Sequence, residues 1–99
     1  MSPAECIATI ERVVSSCRNF KIGMTGQDVE SRLSGYNGEY ESVRGIYSSE
    51  NEEEIEMLEQ FAINHFQQFA ENCDNEQVGG GEMSDRGDVY SLYVVFNLK

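Results

Sequence analysis

Basic residues are scarce in this sequence. Its 99 residues include seven Lys and Arg against eighteen Asp and Glu, with one histidine, for a formal net charge of −11. That shortage argues against a broad electrostatic grip on DNA or RNA, which needs clustered cations to neutralise phosphates. Tryptophan is missing and Pro3 is the only proline, so no Pro-rich linker divides the chain. No apolar run approaches the roughly 20 residues that span a bilayer, and the N-terminal residues lack a signal-peptide pattern. The expected setting is the cytoplasm, with no membrane contact. Cysteine is also sparse: Cys6, Cys17 and Cys73 have no close pair and no histidine at metal-ligand spacing. Cys6 and Cys17 fall on one face of a helix by spacing and read as small buried hydrophobes. Gly79-Gly80-Gly81 is followed by no Lys-Ser/Thr pair and opens no helix, so it reads as a loop rather than a phosphate cradle.

What is present suffices for one domain over residues 1–99. Hydrophobic residues make up 39% of the chain, with five Tyr and five Phe among them. A chain this short buries something over 60% of its unfolded surface, so its core is modest unless it oligomerises. A homodimer through an exposed sheet is one such route. The charge is uneven. Residues 1–44 carry six acids and five bases, whereas residues 45–99 carry twelve acids and two bases. Any anion-binding surface therefore comes mainly from the first half, where Arg12, Arg18, Lys21, Arg32 and Arg44 lie.

Ser2, Pro3 and Glu5 together form a helix start: N-cap, first-turn proline and capping-box partner. Ile7, Ile10, Val13, Val14 and Cys17 continue it as an apolar stripe. Residues 19–24 read as a short strand ending in a turn. Thr25 and Asp28 then cap a short helix with Val29, Leu33 and Tyr36 on one side, stopping at Gly35 or Gly38. A strand follows over 40–48. Ser49 and Glu52 form a second capping box, and a long helix runs to about residue 71 with Ile55, Leu58, Ala62, Phe66 and Phe69 on its stripe. A polar loop over 72–88 leads to the strongest strand, residues 89–96. The order α-β-α-β-α-β predicts an α+β fold with a small three-stranded, mostly antiparallel sheet packed with helices.

Two charged residues stand out. Glu59 falls within about 40° of Ile55 at helical spacing, inside the apolar stripe of the long helix. A carboxylate there pairs, coordinates a cation, takes up a proton or reaches solvent at the rim. Arg32 flanks the apolar side of the short helix near Tyr36. Its planar guanidinium suits a carboxylate or a phosphate, or it serves as a surface residue. His65 lies at the edge of the long helix's stripe and reads as a partly buried histidine.

Phe20-Lys21-Ile22-Gly23-Met24-Thr25 resembles the second motif of the GIY-YIG endonuclease superfamily, in the KIG form of some phage and viral branches. Asp28 to Leu33 is similar to the helix supplying that family's catalytic arginine, which places Arg32 in that role. Tyr36 falls where several members carry a histidine or tyrosine. Residues 46–66 resemble the third strand and metal-binding helix, and Glu59 takes the position of the metal-ligating glutamate. The resemblance covers roughly residues 20–66. The family begins with a GIY strand, whereas this chain begins with a helix. Gly45-Ile46-Tyr47 spells GIY but matches the third strand by order. The C-terminal strand, Gly87 to Val94, looks like a "G.VY.L" form of the missing strand, which implies a circular permutation with this strand antiparallel to residues 20–24. Tyr90 or Tyr93 then supplies the first tyrosine.

The resemblance implies hydrolysis of nucleic-acid phosphodiester bonds with one Mg²⁺ or Mn²⁺ held by Glu59. A last-strand tyrosine would act on the attacking water, and Arg32 would stabilise the charged transition state. Lys21 stands in place of the YIG tyrosine. The competing expectation is a catalytically inactive acidic protein on the same fold, binding a basic protein partner as a DNA mimic does. A structural or small-ligand domain without catalytic history is the third reading.

Overall fold

The computed structural model describes residues 1–76 and 87–99. The elements are α1 (Pro3–Val14), β1 (Cys17–Thr25), α2 (Val29–Ser34), β2 (Ser42–Ser49), α3 (Glu52–Phe69) and β3 (Tyr90–Leu98), in the expected α-β-α-β-α-β order. The Gly79-Gly80-Gly81 loop lies outside the described residues.

Local chemistry explains most element boundaries. The Ser2 hydroxyl accepts from the Glu5 N–H at 3.2 Å, and the Glu5 carboxylate accepts from the Ser2 N–H at 3.4 Å, closing the capping box of α1. α1 ends sooner than its apolar pattern suggests. Ser15 donates its hydroxyl to the Arg12 carbonyl at 3.2 Å, competing for the helix's last acceptors. Cys17 is buried as expected, but as the first residue of β1 rather than on the helix. The thiols of Cys6, Cys17 and Cys73 are free, and burial pushes the Cys6 thiol up to about 11, so it behaves as inert core.

Two expected caps shift by a few residues. Asp28, not Thr25, is the N-cap of α2. The Thr25 hydroxyl instead accepts from the Gln27 N–H at 3.0 Å, forming a turn that delays the helix. Likewise Asn51 caps α3, its side chain accepting from the Glu53 and Glu54 N–H groups at 3.0 and 3.3 Å. Ser49 lies one step outside, its hydroxyl accepting from the Asn51 N–H at 3.0 Å. The acids of the first turn of α3 face the positive end of the helix dipole.

The sheet has strand order β1-β3-β2, with both outer strands antiparallel to β3. The expected pairing of the last strand with residues 20–24 is in place: Phe20 lies opposite Phe96, and Met24 opposite Leu92. The central position explains the composition of β3. Covered on both faces, Leu92, Tyr93, Val94 and Val95 are consecutively buried, without the alternation of a half-exposed strand. The outer edge of β1 is closed by the chain leaving α3. The Phe20 N–H donates to the Asn72 carbonyl and the Asp74 N–H to the Phe20 carbonyl, at 3.1 and 2.8 Å. The Asn75 amide then accepts from the Ile22 N–H at 2.9 Å and donates to the Ile22 carbonyl at 3.0 Å. A side chain thus imitates a strand residue and satisfies the exposed edge.

The two faces of the sheet pack differently. α1 and α3 cover one face, where Phe20, Ile22, Leu92 and Val94 meet Ile10, Ile55, Leu58 and Phe66. Met1 and Glu11 of the α1 region meet Glu54 and His65 of α3 at 3.9 and 3.8 Å, so the two helices run in the same direction. α2 and the following turn cover the other face, with Tyr40, Tyr93 and Val95 against Val29, Leu33, Tyr36 and Val43. Phe69, expected on the core stripe, is 74% exposed because it closes the last turn of α3, beyond the sheet contact made by Phe66. Among the described residues no helix is long and apolar enough to cross a membrane.

Candidate active site

The register of β1 against β3 builds the site. Gly23 lies opposite Tyr93, and a Cβ at position 23 would sit 2.5 Å from the Tyr93 hydroxyl oxygen. The absent side chain is what lets the tyrosine ring lie across β1 on the α2 face. Tyr93 is 2% exposed, and its hydroxyl is 2.7 Å from that of Tyr36. One phenol donates to the other, which leaves the acceptor's own hydrogen available for a second bond. Gly87 plays a similar part where β3 is entered: a Cβ at this position would overlap the Gly26 carbonyl, so a side chain has no room.

Two cations flank the phenol pair. The Lys21 ammonium lies 5.8 Å from the centre of the Tyr36 ring. Arg32, in the last turn of α2, is close enough to pull the Tyr36 phenol toward ionisation. Burial, the strongest effect, and the Tyr93 hydrogen bond push the other way, and the phenol ends well above its ordinary value. At neutral pH Tyr36 is therefore a proton-bearing donor and positioning group, not a ready base. Tyr40 stacks edge-on against Tyr36 at 5.4 Å and donates to the Asp74 carboxylate at 2.8 Å. Burial raises the Tyr40 phenol as well, and Asp74 adds to that rise.

Lys21, Arg32, Tyr36 and Tyr93 thus share one side of the sheet. Two cations beside a phenol pair suit an anionic oxygen such as a phosphate's. Glu59 and Tyr90 belong to the other layer. Glu59 is 9% exposed on the buried face of α3, and Tyr90 packs against the α1/α3 core. The helical-wheel position of Glu59 is therefore matched by real burial, and the residue is engaged within the fold. Among the described residues no three His, Cys, Asp or Glu side chains converge on one point.

Sequence reasoning missed two parts of this arrangement: the seating of Tyr93 over Gly23, and the Tyr40–Asp74 bond. A glycine inside an otherwise apolar strand is the signal for the first, since it marks a close approach.

No curated protein and no solved structure matches the chain. A family model does match, over residues 5–82, and its description is the T5orf172 domain. That span takes in α1 through α3, including the strand carrying Lys21 and Gly23, the helix carrying Arg32 and the helix carrying Glu59. The chain belongs to the T5orf172 domain family.

Proposed function

We propose that this protein is a GIY-YIG-type nuclease domain that hydrolyses phosphodiester bonds in nucleic acid with one divalent ion, Mg²⁺ or Mn²⁺. T5orf172 domains are associated with phage-type, nuclease-like proteins. The observation that carries the reading is the grouping of Lys21 and Arg32 around the Tyr36–Tyr93 phenol pair. Lys21 draws the phosphate in, and Arg32 holds its non-bridging oxygens as charge develops on them. Tyr93, fixed by Tyr36, orients the oxygen that attacks. Glu59 would hold the metal ion, which supplies Lewis-acid activation when bound. Tyr90, at the entry of β3, is the alternative strand tyrosine on the Glu59 side.

The topology offers a common place for both layers. β1 and β2 run in the same direction, each antiparallel to β3, so α2 and α3 both start from one end of the sheet. Arg32 is the fourth residue of α2 and Glu59 the eighth of α3, so both lie within about 11 Å of that end along their helices. On this reading a phosphodiester backbone crosses this end of the sheet, with Arg32 on one side and the ion held by Glu59 on the other.

The test is cleavage of plasmid and oligonucleotide substrates with Mg²⁺ or Mn²⁺. Glu59→Gln and Arg32→Ala are each expected to lower the rate by about 100-fold or more, the scale of losing one transition-state contact. Cleavage unaffected by both substitutions rejects the site.

A second reading is favoured by the twelve acids against two bases after residue 44. On it the same fold is inactive and meets a basic protein surface, as a DNA mimic would. Absence of cleavage together with salt-sensitive binding to a basic protein selects this reading.

A further inference from the structure

A helix that covers a sheet needs one apolar stripe, and α3 spends Ile55, Leu58, Ala62 and Phe66 on it. It carries a second apolar row that begins on its outer side and winds toward α1. Met57, Phe61 and Phe69 are 50%, 48% and 74% exposed. With His65 between them they recur every fourth residue, one continuous ridge about 18 Å long. His65 stacks against Phe69 at 5.0 Å between ring centres, so the ridge is contiguous at its C-terminal end. Exposed Met and Phe in a row are costly to leave in water and are enriched where proteins meet.

The charge around the ridge selects its partner. α3 contains no Lys or Arg, and Glu50, Glu53 and Glu56 stand at the ridge's N-terminal end. Glu11 of α1 reaches His65 at 3.8 Å and adds a carboxylate alongside. A second copy of this chain docked through the same ridge brings another α3 with glutamates and no Lys or Arg, and the last turn of α3 holds no base to answer them. We propose that the Met57–Phe61–His65–Phe69 ridge docks a basic amphipathic helix of another protein. Its apolar face covers the ridge and its Lys and Arg residues meet the glutamates. A fourth-residue ridge is the form that interlocks with a crossing helix. The inference does not depend on the hydrolytic reading, because none of Met57, Phe61, His65 and Phe69 belongs to the Lys21, Arg32, Tyr36 and Tyr93 cluster or is the proposed metal ligand Glu59.

The test uses the full chain and a labelled Lys/Leu amphipathic helical peptide, with a Lys/Ser peptide of equal charge as control, at physiological ionic strength. The wild type is expected to bind the Lys/Leu peptide about tenfold or more tightly than the Lys/Ser peptide. Phe61→Ser with Phe69→Ser, both at exposed positions, is expected to erase that difference while circular dichroism and thermal unfolding stay unchanged. Glu53→Lys with Glu56→Lys is expected to weaken both peptides. Equal affinity for the two peptides, no binding of the Lys/Leu peptide, or binding untouched by the Phe61/Phe69 variant overturns the proposal. So does a concentration-dependent dimer that the same variant abolishes, since a second copy then occupies the ridge.

Discussion

Leu92 and Tyr93 are neighbours on one strand, both buried, and they serve opposite faces of the sheet. Leu92 faces α1 and α3, among hydrocarbon side chains with no polar obligation. Tyr93 faces α2, in a layer that holds three tyrosines and is flanked by Lys21 and Arg32. The first face is built to be stable, since dense apolar packing carries most of the burial energy. The second is thinner, covered by a six-residue helix with no fully buried residue. A thin layer with hydroxyls and cations stores less stability and leaves reactive groups near solvent. Dense apolar packing and the cluster of hydroxyls and cations thus lie on opposite sides of a single strand, with Glu59 buried on the apolar side.

The strongest way to break that division is from the stable side. Leu92→Ala removes a fully buried side chain and is expected to cost about 2–5 kcal/mol. A domain of this size has about 5–15 kcal/mol in total, so the urea midpoint falls sharply. The α2 face is expected to stay intact in the folded molecules, read as an unchanged alkaline titration of Tyr36, because none of its groups is touched.

Gly23→Ala comes next and acts on the other face. The new Cβ meets the Tyr93 hydroxyl and ring, and Tyr93 is too buried to swing aside freely. Overpacking of this kind costs about 1–3 kcal/mol. The larger consequence is for the phenol pair, whose 2.7 Å hydrogen bond depends on the ring's position. Cleavage is expected to fall far more than stability does, as measured by urea unfolding beside the cleavage assay. Loss of stability alone, with activity intact, would separate Tyr93 from the site.

Tyr93→Phe is gentler still. It keeps the ring and removes one hydroxyl, leaving the half-buried Tyr36 hydroxyl able to find water, so stability is expected to change by about 1 kcal/mol or less. Its signature is in alkali. The folded chain holds the phenolic protons of Tyr36 and Tyr40 more tightly than the unfolded chain, whose tyrosines release them near 10. The stability from those protonated phenols is whole below about pH 10 and is lost as pH rises above it. Removing the Tyr93 hydrogen bond takes away one cause of the Tyr36 rise. The ultraviolet titration of Tyr36 phenolate is therefore expected to begin at lower pH in the variant.

How much of this was legible in the sequence follows the same division. Patterns set by near neighbours could be read directly: the Ser2–Glu5 capping box, the apolar stripe of α3 and the odd position of Glu59 on it. The α+β order also followed, because each element signals itself locally. Caps moved by a few residues where two candidates compete, as Asn51 does with Ser49 and Asp28 with Thr25. The pairing of β1 with the last strand, and the grouping of Lys21, Arg32, Tyr36 and Tyr93, came from the family resemblance and not from any local pattern. The register that seats Tyr93 over Gly23 was not legible, because no local period encodes it. The Asn75 side chain closing the edge of β1 was hidden for the same reason. Phe69 misled because helical spacing does not say where the sheet beneath the helix ends.

The smallest expected effect on stability is also the one that best tests what the α2 face is for. Lys21→Met keeps the aliphatic stem and removes a cation lying 5.8 Å from the Tyr36 ring centre. A partly exposed cation–π contact is worth about 0.5–1 kcal/mol, so unfolding should barely change. If Lys21 serves the fold alone, nothing else changes. If it draws in phosphate, nucleic-acid affinity falls evenly across sequences, and the dependence of binding on salt drops by about one released ion. The chain has only seven bases, five of them before residue 45, so each cation on this face carries an unusual share of any attraction to nucleic acid. A salt slope unchanged by the substitution would leave Arg32 as the remaining basic group of the cluster to hold the phosphate.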